Sequence, residues 1–245
     1  MPLLSPTQAR RQLFRHALSR LARDYRAQAR MPQAVQAASR AVAESPHQAF
    51  LRQLIGKVRA GVAEGAAAEN VRDHLFLYAE SDFHEALRLN PYDGESMANL
   101  AVLYGSWSRC SREGRRPQLA QKARAAWALA LASNPMEPEL WSRWGAAQLT
   151  LFADASGAQE SARHALSLNA QCASAYALSG DIFASQARTL GGEGRRAAFA
   201  QAESSYARAV ESDGAKPAYK RSRESARSAQ ASLAGNEPFP FALAW

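Results

Sequence analysis

The chain has 245 residues, 47% of them apolar, with 30 lysines and arginines against 22 aspartates and glutamates and a formal charge of +8. That length fits one large domain or two small ones, and the apolar share is ample for a core, which excludes a disordered chain. It contains 54 alanines, with Pro, Gly and β-branched residues mostly confined to short intervals; this excludes a β fold and predicts an all-α one, because alanine is the best helix former.

In chain order, the first segment is basic: residues 1–30 carry seven arginines and one acid, Asp24. The run "ARRQLFRHALSRLARDYRAQAR" is amphipathic and acid-poor, a composition shared with organellar transit peptides, and it lacks the apolar stretch of a secretory signal. Its Leu18, Leu21, Ala22 and Tyr25 nevertheless sit in a register that recurs further on. Residues 1–14 are therefore expected to be a basic lead-in and residues 15–48 the first helical unit. A cytoplasmic location is expected, with import into an organelle as the alternative.

Helix stops punctuate the rest of the chain. "SRAVAESP" ends at Pro46, "EALRLNP" at Pro91, "WALALASNP" at Pro135, "RHALSLNA" at Ala170 and "ARAVESDG" at Gly214, at spacings of 45, 44, 35 and 44 residues. After a stop comes a large residue, another three on, then a small one and an aromatic. The set is Met97, Leu100, Ala101 and Tyr104, then Trp141, Trp144 and Gly145, then Tyr176, Gly180 and Phe183. Such spacings put these side chains on one face of a helix. Before a stop the order is small, bulky, small: Ala79, Phe83, Ala86; Ala123, Trp127, Ala130; Ala202, Tyr206, Ala209. Units one and four have Ala38 and Ala162 where the bulky residue belongs.

This pattern resembles the tetratricopeptide repeat family, whose unit of 34 residues is a pair of antiparallel helices. The resemblance spans roughly residues 15–216 and implies a right-handed superhelical solenoid of about five helix pairs, at 15–48, 49–93, 94–137, 138–172 and 173–216. A capping helix over 217–234 would follow. One pair cannot bury its apolar face alone, so consecutive pairs must stack.

Units two, three and five exceed the family length by about ten residues. The excess falls between the two helices of each, in "GVAEGAAAENVRD", "RCSREGRRPQ" and "TLGGEGRRAA". The string EGRR occurs at 113–116 and 193–196, 80 residues apart, as if a two-unit block had been duplicated. As projecting loops, these would make Arg115, Arg116, Arg195 and Arg196 basic contacts for an acidic partner.

In the family, the first helix of each pair lines the concave face where ligands bind. Carried onto this sequence, that face takes His16, Arg20, Arg23 and Arg26, then Gln53 and Lys57, then Glu95, Asn99 and Val102. It continues with Glu139, Arg143 and Ala146, and ends with Leu178 and Asp181. Arg20, Arg23, Lys57, Asn99 and Arg143 are the partner-binding candidates. One subfamily clamps a peptide carboxylate between an Asn and a Lys–Arg pair. Asn99 and Arg143 match it, but Glu139 stands in place of the clamp lysine and would repel a carboxylate.

No metal or cofactor is expected: the histidines His16, His47, His74, His84 and His164 lack HExxH or HxxxH spacing, and Cys110 and Cys172 lack a CxxC partner. No nucleophile stands beside a base, so no enzyme is expected. No apolar run reaches the length of a membrane span. The final stretch, residues 235–245, is "GNEPFPFALAW", in which Phe239, Phe241 and Trp245 alternate past two prolines. It is expected either to fold back on a groove or to be presented to a partner. The expected function is non-catalytic protein or peptide binding, as a scaffold or chaperone-like adaptor. Binding of single-stranded RNA is one alternative, and service as a regulatory subunit of an enzyme or secretion apparatus another.

Overall fold

The computed structural model describes Arg20 and residues 30–234. The first helix of unit one, with Leu18, Leu21, Ala22 and Tyr25, and the tail 235–245 lie outside the described residues. Those described form ten α-helices and a single 3-10 turn, Glu113–Arg115, with no strand among them. The all-α expectation is met.

The chain divides after Pro135 into two compact units. The first holds α1 (Met31–Glu44), α2 (Ala49–Gly65), α3 (Glu69–Leu89), α4 (Gly94–Cys110) and α5 (Arg116–Ser133). Short connections fold each helix back on its predecessor. In addition α2 packs on α4, so first helices lie side by side. The second unit holds α6 (Pro138–Leu151), α7 (Ala155–Leu168), α8 (Ala173–Ala187), α9 (Gly192–Ser212) and α10 (Pro217–Ala234). It repeats the scheme, with α6 also against α8 and α10 against α9.

The predicted stops end helices for a visible reason. The backbone N–H groups of Asn90 and Asn134 close the last turns of α3 and α5 on Ala86 and Ala130. Pro91 and Pro135 then have no N–H to carry the ladder on.

The small and bulky positions interlock as the spacing predicted. Phe83, Trp127 and Tyr206 are all but fully buried, each flanked by buried alanines one helical turn away. A Cβ on Gly56 would meet the Phe83 ring at 3.1 Å, and one on Gly180 would meet Tyr206 at 2.6 Å. Glycine there lets paired helices approach until the ring touches backbone. Where the bulky residue is missing, the neighbouring pair supplies volume: Leu178 of α8 fills the space between Gly145 and Ala162. Beside Ala38, the filling comes from Leu51, Leu54, Ile55 and Val58 of α2.

The extra residues become helix rather than loop. α3 and α9 have 21 residues each, against 14 in both α6 and α7. Alanine- and charge-rich segments favour helical propagation over an open loop. The expected basic spurs are therefore absent as spurs. Arg116 opens α5, and Arg195 and Arg196 lie in the first turn of α9.

One face of α3 gathers the acids of the 61–90 region. Glu69 meets Arg112 at 2.8 Å, Asp73 meets Arg115 at 2.7 Å, and Glu80 meets Lys122 at 3.0 Å. Trp107 donates its indole N–H to Asp73 at 2.8 Å while stacking on Phe76, and the Tyr104 hydroxyl donates to Glu80. On the other side of α3, Asp82 is 4% exposed between Arg59 and Arg52 of α2.

Candidate functional site

In the first unit the predicted groove residues Lys57 and Asn99 come together on α2 and α4, but around a carboxylate of the protein itself. Lys57 Nζ lies 3.1 Å from Glu95 Oε1, and Asn99 Nδ2 donates to the same oxygen at 3.2 Å. Gln53 donates to Ser96 alongside. Lys57 and Asn99 are thus both engaged by Glu95, a side chain of the protein itself. Arg143 belongs to α6 of the second unit.

Three of the arginines of the repeated EGRR string, Arg115, Arg116 and Arg195, hold contacts within the protein, although the first two stay exposed. Besides pairing with Asp73, Arg115 lies over the Trp107 ring at 5.1 Å. Arg116 Nε donates to the Ser111 carbonyl, and Arg195 Nε donates to the Ala187 carbonyl, each at 3.0 Å. Arg196 is partly buried at the start of α9. Arg20 is exposed. Arg23, Phe239, Phe241 and Trp245 lie outside the described residues.

The second unit carries a groove of about 660 Å³, to which α6, α8, α9 and α10 all contribute. Its apolar share is Ala146, Leu149, Ala184, Phe199 and Ala226. Hydroxyls surround these, from Thr150, Ser185, Ser222 and Ser225. The charged members are Asp181 and Arg188. Tyr206, 5% exposed, donates its hydroxyl to Asp181 Oδ1 at 2.6 Å. Burial first, then that carboxylate, pushes the phenol up from its ordinary value, so it stays a neutral donor holding Asp181 in place. Small residues beside two aromatics and a rim of hydroxyls give a slot with both apolar and hydrogen-bonding walls.

Of the predicted concave residues, Ala146 and Asp181 line this groove. Leu178 does not: it is 3% exposed and spent on the gap beside Ala162. Leu149, Thr150, Ala184, Ser185 and Arg188 were missed, although they lie one or two turns further along the same helix faces. Continuing the register by three and four residues would have found them. The α10 serines had no such signal, because only the packing of α10 on α9 brings them in. Among the described residues no group of His, Cys, Asp or Glu could hold a metal ion, and no helix is long and apolar enough to cross a membrane.

No family model matches this sequence, and no curated protein is similar to it. Solved structures are. The protein TTC0263 of Thermus thermophilus, a thermophilic TPR protein, superposes with a TM-score of 0.68 at 18% identity, over 87% of this chain and 99% of its own. PilF of Pseudomonas aeruginosa gives 0.55 at 16% identity, over 91% and 90%. The human IFIT1 dimer with PPP-AAAA gives 0.50 at 17% identity, over 82% of this chain and 48% of that one. At such identities the shared property is the architecture, and with the helix pairs and their small-to-bulky interlock it leads to one conclusion: this chain has the tetratricopeptide-repeat fold.

Proposed function

We propose that the protein is a non-catalytic interaction scaffold that holds an extended segment of a partner protein in the groove of α6, α8, α9 and α10. The observation that carries this reading is the groove itself: a cavity of about 660 Å³ with apolar, hydroxyl and charged walls, contributed by four helices that are held in place by their own packing. A preformed site of this kind loses little conformational entropy on binding, which suits an extended or disordered ligand. Arg188 favours a segment that includes a carboxylate.

The test is selection of random peptides on the full-length protein, followed by titration against Thr150→Trp and Ser225→Trp. Both residues are exposed and line the groove, so bulk there obstructs it without disturbing the core. Selected peptides are expected to bind each variant at least tenfold more weakly. Enriched peptides that bind all three proteins equally would remove the groove from the reading.

A second reading, single-stranded RNA, draws on the likeness to IFIT1, whose structure contains PPP-AAAA, and on the net charge of +8. Against it, Phe76, Phe83, Trp107, Trp127 and Tyr206 are buried between helices, and the exposed rings of Tyr78 and Tyr92 belong to the first unit and not to the groove lining. Base stacking requires accessible rings.

A further inference from the structure

We propose that residues 236–245 of this chain, "NEPFPFALAW", occupy the groove of α6, α8, α9 and α10 as an internal ligand that a partner segment must displace. This rests on the groove reading above and names the groove's resident occupant.

Reach is the first argument. Ala226 and Ser222 of α10 line the groove, and α10 runs to Ala234. The eight residues from Ala226 to the helix end amount to about 12 Å at the α-helical rise. Ten residues in extended form span roughly 33 Å, so the segment can turn back along α10 and still cross the groove. Tethering also raises its effective concentration to about the millimolar range. A docking interaction too weak to survive dilution of a free peptide is then still populated.

Chemistry is the second. Phe239, Phe241, Leu243 and Trp245 alternate, so in an extended backbone they project to one side. The groove offers Ala146 and Ala184, whose short side chains leave depth, next to Leu149 and Phe199, which supply contact. The hydroxyls of Ser185, Ser222 and Ser225 line the path of such a strand's backbone, while Thr150 already donates its own to the Ala146 carbonyl. Left in water, four bulky apolar residues within seven positions are a liability.

Charge is the third. Glu237 is the one charged side chain of the segment, and among the described residues Arg188 is the one cation lining the groove. The groove's own acid, Asp181, accepts the Tyr206 hydroxyl and also feels the charge of Arg188, so Glu237 would share that cation with it.

The experiment uses the full-length protein and its triple variant Phe239→Ala, Phe241→Ala, Trp245→Ala, with a fluorescein-labelled peptide of sequence NEPFPFALAW read by anisotropy. The triple variant, its groove vacated, is expected to bind the peptide at least tenfold more tightly than the parent. Adding Thr150→Trp to the triple variant is expected to abolish that gain. Equal binding by parent and triple variant, or binding by neither, overturns the proposal. So does a concentration-dependent dimer of the parent, seen by analytical ultracentrifugation and lost in the triple variant, which would put the segment in a second copy. If the randomly selected peptides bind in a Thr150-dependent way while NEPFPFALAW does not, this proposal fails alone. If no peptide of any sequence binds, the groove reading fails with it.

Discussion

Gly180 and Gly56 occupy the same position in their respective helix pairs, yet they tolerate a methyl group differently. At Gly180 a Cβ would come within 2.6 Å of the Tyr206 ring, whose hydroxyl is anchored on Asp181 and cannot withdraw. Overpacking costs about 1–3 kcal/mol and outweighs the roughly 1 kcal/mol that alanine gains over glycine in a helix. Gly180→Ala is therefore expected to lower stability to urea by up to about 2 kcal/mol. At Gly56 the Phe83 ring need move only a few tenths of an ångström from 3.1 Å. Gly56→Ala is expected to stay within about 0.5 kcal/mol of the parent in the same denaturation series. The small and bulky positions were legible in the sequence because the contacts that enforce them repeat at i+3 and i+4. Leu178 was misplaced on the groove face because its actual role depends on Ala162, a residue on a different helix.

Among the elements, α3 is tied to its neighbours by charge on two faces, and these differ in what the charges are worth. The Arg115–Asp73 pair is 49% and 26% exposed at the side chains, where ion pairs contribute about 0–1 kcal/mol. Arg115→Ala is expected to cost less than about 1 kcal/mol, and less still in high salt. Trp107→Phe keeps the stacking on Phe76 but leaves Asp73 without its indole donor, at about 1 kcal/mol.

Asp82 is different. Burial holds its carboxyl above the ordinary value, while Arg59 and then Arg52 pull it back. Arg59→Met strands a buried carboxylate with only Arg52 near it, and is expected to cost about 2 kcal/mol at neutral pH. The native state then takes up a proton more readily than the unfolded chain. By linkage, stability falls as pH rises between the unfolded and the higher native pKa. The deficit of Arg59→Met should accordingly shrink as denaturation is repeated from pH 7 down to pH 5. The extra length in this region was visible in the sequence, but its form was not. A run such as "GVAEGAAAENVRD" satisfies loop and helix equally until α2 gives α3 a surface to grow along.

For the whole molecule, the net charge of +8 overstates what a ligand meets. Residues 1–30 alone carry seven arginines against one acid, whereas the groove of the second unit is lined by one acid and one base. Binding of selected peptides is expected to weaken less than about tenfold between 50 and 200 mM salt, as for a single charge contact. An RNA ligand held by several phosphates would lose roughly a thousandfold or more over that range. Filter binding or anisotropy at both salt concentrations separates the two. The fold class was readable from alanine and the period alone, since both are statements about local structure. The groove was not, because it is a space left between the faces of α6, α8, α9 and α10, and its shape is set only by how those helices pack.

The acid row on α3 bears on whether the helix pairs are interchangeable modules. Glu69, Asp73 and Glu80 are read by Arg112, Arg115 and Lys122, so the second pair recognises the third much as a key recognises its lock. The other copy of EGRR has turned its Arg195 onto the Ala187 carbonyl, and its unit carries no counterpart of Trp107 to set beside Asp73. A chimera with residues 173–214 grafted in place of 94–135 would preserve the repeat signature and still leave that acid row unanswered. The helix pairs share a signature, but these charges make their order part of the structure.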